Sequence, residues 1–159
     1  LSVSRSIRDN KIAELCELFS ALPGKRLVLI SNFSNSAYGI DIQSKYQRYP
    51  NIELIDGLYE KQKLDVLRRC CKAYIHTHTL CGSAPSLIEM IVSRVPIYSI
   101  DVIQNRHTLG NHGRYFEDFD ELQNIIMNDL LPDIPSLDFA MHYDWQSVVC
   151  EYERLFTIA

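Results

Sequence analysis

Four short apolar runs, each separated from the next by a stretch of helical periodicity, constrain this chain more than any other feature. They are RLVLIS at 26–31, NIELI at 51–55, AYIHTH at 73–78 and VPIYSI at 95–100. Runs of this length and apolar density suit strands covered on both faces. Between them lie helical patterns. Ile12, Leu15, Leu18 and Phe19 share one face of a segment closed by Pro23-Gly24, and a second helix is expected over 40–49. A third, over 61–71, carries Leu64, Leu67 and Cys71 on one side, and a fourth spans 86–93. Further on, 114–116 reads as a short edge strand and 119–131 as a helix, with Pro132 and Pro135 marking a break. A last helix over 142–156 would bury Trp145, Val148, Val149, Tyr152 and Phe156. Strands alternating with helices imply right-handed crossovers and a parallel sheet. The expected class is therefore α/β: a Rossmann-like parallel sheet with helices on both faces, in a single domain covering residues 1–159.

Composition narrows the partners. The formal net charge of -4 offers no broad basic field for a phosphate backbone, so nucleic acid is not an expected partner. No apolar run approaches the roughly 20 residues of a membrane span, and no signal-peptide core opens the chain. The five cysteines, at 16, 70, 71, 81 and 150, have neither a disulfide framework nor a C-x-x-C spacing, and read as reduced thiols. A helix pattern follows almost directly on Leu1, as in a fragment of a longer polypeptide.

Open α/β sheets bind ligands beyond the carboxyl ends of their strands. That rule selects the loops after Ser31, Ile55, His78 and Ile100. The third is chemically the richest, reading HTHTLCGSAPSLIEM. Gly82 permits a sharp turn or a close backbone approach. Ser83 is a candidate N-cap, with Pro85 and Ser86 in the first turn. Free N–H groups and the helix dipole at such a start favour an anion. Each dipole contact is worth about 0.3–1 kcal/mol, enough to help hold a diphosphate but not to hold one alone. Glu89, one turn inside, can accept two hydroxyl hydrogen bonds from a sugar diol.

Other side chains invite weighing. His76 and His78 are two apart on a strand and share a face. With His107 and His112 they suggest a metal, but no carboxylate or cysteine spacing completes a tetrahedral set, and no metal is expected. His78, at the strand's carboxyl end, is better placed to hydrogen-bond a ligand phosphate or hydroxyl, and His76 reads as a satisfied core histidine. Tyr59 follows the second strand and contacts a ligand there or covers the core. Asn32 and Asn35 reach the ligand or serve the turn. Cys70 and Cys71 pack within their helix, while Arg68 and Arg69 form a solvated face.

The motifs then fall into a familiar order. PSLIEMIVSRVPIYSID resembles the conserved donor-site block of family-4 glycosyltransferases of the GT-B fold. The run Tyr74-Ile75-His76-Thr77-His78, with Gly82, Pro85-Ser86-Leu87 and Glu89, is more similar to bacterial polysaccharide rhamnosyltransferases. Asp101, Asn105-Arg106, Leu109 and Tyr115-Phe116 downstream, and Val3-Ser4-Arg5, Asp9-Asn10 and Ile12 upstream, match the same group in order. DWQSVVCEYERLF resembles the closing helix of GT-B enzymes.

The resemblance implies a GT-B C-terminal domain that binds a nucleotide-sugar donor, with donor contacts from Arg5, Asn10, Lys11, His78, Gly82, Ser83, Ser86, Glu89 and Arg106. Glu89 matches the second acid of the E-x7-E motif, which binds the ribose. The first acid falls on Cys81, so the usual donor-sugar contact is missing, although the rhamnosyltransferase group also carries a small residue there. Arg5 matches an arginine on the diphosphate, a bidentate fork for its oxygens. The family's lysine falls on Asn10, with Lys11 beside it, leaving Arg106 as a further clamp. The implied reaction is retaining, metal-independent and free of cofactor, with rhamnose from dTDP-rhamnose as the first donor to test. The acceptor would be a surface polysaccharide or lipid-linked glycan, engaged by an N-terminal domain outside this chain. The catalytic base is not assigned, and the isolated domain is expected to be inactive. The expected location is the cytoplasm, including the inner face of the membrane for the full-length form. The rivals are a non-catalytic Rossmann-like binding or scaffold module, favoured by Cys81, and a GT-B sugar epimerase, whose active-site acids are not evident.

Overall fold

A computed structural model describes residues 1–80, 84–143 and 145–157. Strands β1 (Ser2–Val3), β2 (Leu27–Ser31) and β3 (Ile52–Asp56) form one parallel set in the order β1-β2-β3. Strands β4 (Tyr74–His76), β5 (Ile97–Ile100) and β6 (Arg114–Phe116) form another in the order β4-β5-β6. The sets meet at Leu1. Its amine donates to the Ala73 carbonyl at 2.9 Å, and the Ile75 N–H donates to the Leu1 carbonyl at 2.9 Å. Read across these bonds, the strand order is 3-2-1-4-5-6, the doubly wound order whose ligand crevice opens where the winding reverses, between β1 and β4.

The apolar runs lack polar alternation because both faces of the sheet are covered. Leu27, Leu29, Ile75 and Tyr98 point into one core, with Ile12, Leu15 and Phe19 of α1 (Ile12–Ser20), Ile42 of α2 (Ala37–Tyr46) and Leu122 of α6 (Phe119–Met127). The intervening Val28, Ile30, Tyr74 and Ile97 point into the other. That second core takes Leu64 and Leu67 of α3 (Lys61–Cys70), Leu87, Met90 and Ile91 of α4 (Pro85–Val92), Leu109 of α5 (Ile103–Leu109) and Ala140 of α7 (Leu137–Met141). The strand period of two thus deals alternate side chains to opposite layers.

Local chemistry sets several boundaries. Ser36 caps α2 by accepting from the Gly39 N–H at 3.0 Å, so that helix starts three residues before the expected 40 and ends at Tyr46. Asp118 caps α6 through the Glu121 N–H, and Glu121 reaches back to the Glu117 N–H. α6 ends at Met127 rather than 131, followed by Asp129 in a left-handed conformation (φ 49°).

The last helix, α8 (Trp145–Thr157), forms where the pattern places it, but its apolar side is not buried. Trp145 and Phe156 are each 81% exposed, and Tyr152 and Val149 also face solvent. Amphipathic spacing specifies a face that can be covered, and among the described residues no surface covers this one. Arg68 departs in the other direction. Expected in a solvated face, it is only 6% exposed. Tyr59 is exposed and does not cover the core, and of the adjacent cysteines Cys71 packs while Cys70 is exposed.

Candidate functional site

The crevice at the winding reversal is built from the loop after β1 (4–11) and the segment after β4 (77–80). Side-chain hydrogen bonds do the joining. Ser6 hooks the first loop onto the end of β2, with its N–H on Asn32 Oδ1 at 2.9 Å and its hydroxyl on the Asn32 carbonyl at 2.7 Å. Asn32 is therefore spent on the scaffold. Asn10, 4% exposed, closes the loop on itself by donating from Nδ2 to the Arg5 carbonyl at 2.8 Å. Thr77 Oγ1 donates to the Asn10 carbonyl at 2.5 Å, and Thr79 donates from its hydroxyl to the Asp9 carbonyl at 3.0 Å. From α5, Asn105 Nδ2 donates to the carbonyls of His78 and Ile100, both at 3.1 Å. Three loops are stitched into one rim before any ligand is considered.

Arg5 stands exposed on this rim, and its charge is felt by His78. Burial, and then Arg5, depress His78 to about 4. The His76 and His78 rings lie 4.3 Å apart. His76 is fully buried, and neither ring nitrogen is in hydrogen-bonding geometry with a partner among the described residues. It is a core histidine, as expected, but among the described residues its only polar neighbour acting on the ring besides His78 is the Asn105 side chain. Burial, reinforced by His78 and opposed by the Asn105 side chain, lowers it to about 3. Both rings are neutral at neutral pH, so the charge at this point is that of Arg5, while His78 offers a neutral ring whose N–H can serve as a hydrogen-bond donor.

The start of α4 is anchored against the same edge. Tyr74 donates its hydroxyl to the carbonyl of Val3, the last residue of β1, at 3.1 Å, and the Ser86 hydroxyl interacts with it from the first turn. Burial pushes the Tyr74 phenol up to about 12. The N-cap of α4 is Ala84, without a side-chain cap, rather than Ser83, and Pro85 takes N1 as expected. The N–H groups of Leu87 and Ile88 both donate to the Ala84 carbonyl. Since Pro85 has no N–H, Ser86 supplies the first-turn amide that Ala84 does not use. This helix start offers fewer donors than its sequence suggested.

The remaining candidates divide. Lys11 begins α1 in a left-handed conformation (φ 55°) and lies 3.7 Å from Glu14. Asn10 is a buried loop clasp. Glu89 is half-exposed and bonded to Arg68. Arg106 is not brought to the others: it forks onto Asp101 with two 2.5 Å hydrogen bonds and lies 4.4 Å over the Tyr115 ring. That hydrogen bonding holds the Asp101 carboxyl below its ordinary value. Gly82, Ser83 and Cys81 lie outside the described residues. Sequence reasoning missed the roles of Thr77, Thr79 and Arg68, whose partners are 67, 70 and 21 residues away and leave no local pattern. Among the described residues no group of three His, Cys, Asp or Glu side chains could hold a metal ion, and no helix is long and apolar enough to cross a membrane.

No protein-family model matches the chain, and no curated protein matches it in sequence. Solved structures do. The sucrose-phosphate synthase of Thermosynechococcus elongatus matches 99% of this chain and 46% of its own, at a TM-score of 0.74 and 14% identity. The trehalose-6-phosphate synthase OtsA matches 99% of this chain and 43% of its own, with a TM-score of 0.73 and 14% identity. AviGT4, a glycosyltransferase of avilamycin A biosynthesis, covers 99% of this chain and 51% of its own, at 0.62 and 20%. The fold is that of the GT-B glycosyltransferases. The chain spans between about a third and a half of the length of the structures it matches.

Proposed function

We propose that this chain is the C-terminal, donor-binding domain of a glycosyltransferase and that it holds a nucleotide-diphosphate sugar in the crevice between β1 and β4. The observation that carries this reading is the convergence of Arg5, His78 and the start of α4 at the point where the sheet's winding reverses, in a GT-B fold. Departure of a nucleoside diphosphate develops negative charge on the phosphate and leaves an oxocarbenium-like sugar. A guanidinium and a neutral hydrogen-bond donor carried on this hydrogen-bonded rim stabilise that charge. In this reading Arg5 serves the diphosphate, His78 a phosphate or sugar hydroxyl, and Glu89 the ribose. Lys11, Gly82, Ser83 and Ser86 complete the donor contacts. Asn10 acts by holding the Arg5 loop, and Arg106 is a contact only if it leaves Asp101.

The reaction we infer is retaining and needs neither metal nor cofactor. A trehalose-6-phosphate synthase among the structural neighbours is described as transferring with retention, which supports the first point. Rhamnose from dTDP-rhamnose is the donor the sequence resemblance favours, while the solved neighbours include a trehalose-phosphate synthase described as UDP-forming, so UDP belongs in the same test. A bacterial surface polysaccharide or lipid-linked glycan is the acceptor we propose, bound by an N-terminal domain, with the enzyme in the cytoplasm at the membrane face.

Isothermal titration with dTDP and UDP is the test. We expect one of them to bind, and Arg5→Ala to raise its Kd at least about tenfold, since charge-assisted bonds to such a fork contribute about 1.5–3 kcal/mol. The melting temperature should not move, because Arg5 is exposed. Absence of binding by both nucleotides overturns the reading.

A further inference from the structure

Arg68 is a charged side chain where the sequence has no reason to bury one. It sits in the last turn of α3, and its side chain is 8% exposed. Its Nη2 donates to Glu89 Oε2 on α4, its Nη1 to Asp65 Oδ1 at 3.3 Å, and its Nε is buried without a partner among the described residues. The carboxylates it meets are the exposed members of these pairs: the side chain of Glu89 is 48% exposed and that of Asp65 40%. Burying a guanidinium with one N–H unsatisfied contributes little to stability compared with an apolar side chain of the same length. What the arrangement does accomplish is geometric. A glutamate on a helix surface samples several rotamers, and a buried arginine reaching 21 residues along the chain fixes this one from beneath. The Tyr74 phenol, bonded to the carbonyl at the end of β1, lies close enough to feel the charges of both Glu89 and Arg68.

We propose that Arg68 is a positioning residue for the donor site: it holds the Glu89 carboxylate oriented so that its free acceptor positions receive the hydroxyls of a nucleoside ribose. The proposal rests on the reading of this crevice as a nucleotide-sugar site. A carboxylate has about four acceptor positions, of which Arg68 takes one, so two ribose hydroxyls can still be accepted. Sugar-hydroxyl recognition is then a property of the pair, one residue touching the ligand and the other, on a different helix, fixing it.

The discriminating probe is UDP against its 2′,3′-dideoxy analogue, titrated into the chain and its variants. We expect the parent to prefer UDP, Glu89→Gln to lose that preference, and Arg68→Gln to lose about tenfold of it. The double variant should be no worse than Glu89→Gln alone, because both changes remove one interaction. Arg68→Lys, which keeps the charge, should recover part of the preference, and Asp65→Asn should leave it intact. Each variant is checked by its thermal midpoint. If Arg68→Gln does not fold, Arg68→Met, which keeps the aliphatic length, takes its place. An arginine that only supports the fold would weaken UDP and the dideoxy analogue equally and add to Glu89→Gln. That result overturns the proposal while leaving the nucleotide site standing. Absence of UDP and dTDP binding by the parent overturns the underlying reading, and the proposal with it.

Discussion

Acid should destabilise this domain through two buried histidines. His76 and His78 fall to about 3 and about 4 in the folded chain, against about 6.5 for an unperturbed histidine. Folding therefore disfavours their protonated forms, and between those limits the unfolded chain binds more protons. Stability is then full above pH 6.5 and is lost as pH falls towards 4 for His78 and 3 for His76. At pH 5 the solution lies about 1.5 units below the unfolded-state value of each ring while both folded rings are still neutral, which costs about 2 kcal/mol per histidine at 1.36 kcal/mol per unit. Two rings remove about 4 kcal/mol, a large share of the roughly 5–15 kcal/mol that holds a domain together. With a urea m-value of about 2 kcal/mol/M for a chain of this size, the midpoint should drop by about 2 M between pH 7.5 and pH 5. The depressed carboxyls of Glu17, Asp101 and Asp129 titrate below this window. The buried amine of Leu1 acts in the same direction as the histidines, so the decisive quantity is the difference between variants. His76→Phe should cut the acid loss by about half, and His76→Phe with His78→Gln should remove nearly all of the histidine share. A midpoint unchanged from pH 7.5 to 5, or variant curves parallel to the parent's, would refute the reasoning.

Two further expectations concern the fold. Gly39→Ala, which in an ordinary helix interior gains about 1 kcal/mol, should here lose about 1–3 kcal/mol, because the new Cβ would stand 2.2 Å from the Phe33 carbonyl oxygen. A thermal midpoint at or above the parent's would contradict this. Trp145→Ser and Phe156→Ser should each leave the stability of the isolated chain within about 0.5 kcal/mol, since both side chains are 81% exposed. The emission of Trp145, the single tryptophan, should already be that of an indole in water, and a blue-shifted spectrum would show α8 covered in solution.

Most of the fold was legible in the order of residues, because apolar periodicity is a local signal. The runs at 26–31, 51–55, 73–78 and 95–100 all became strands, and Pro85 began α4. β1 was missed, since two residues carry no period; yet this strand places the site, for its hydrogen bonds through Leu1 make the sheet reverse beside β4. Arg5 entered the candidate site by resemblance alone, and only β1 explains why the loop after it meets His78.

The helix of 142–156 shows the opposite limit: spacing marked Trp145 and Phe156 as one apolar face, and no spacing can say whether that face is covered. Arg68 and His76 mark it again. By residue type one belonged in solvent and the other in a satisfied core, and the structure buries the first against Glu89 and sets the second in a core where, among the described residues, only His78 and Asn105 act on its ring as polar neighbours. The chain by itself determined which segments are strands and helices and which residues are apolar, because those depend on near neighbours. Which polar groups meet, and therefore what is charged, neutral or held in place at the crevice, was decided only by contacts between residues tens of positions apart.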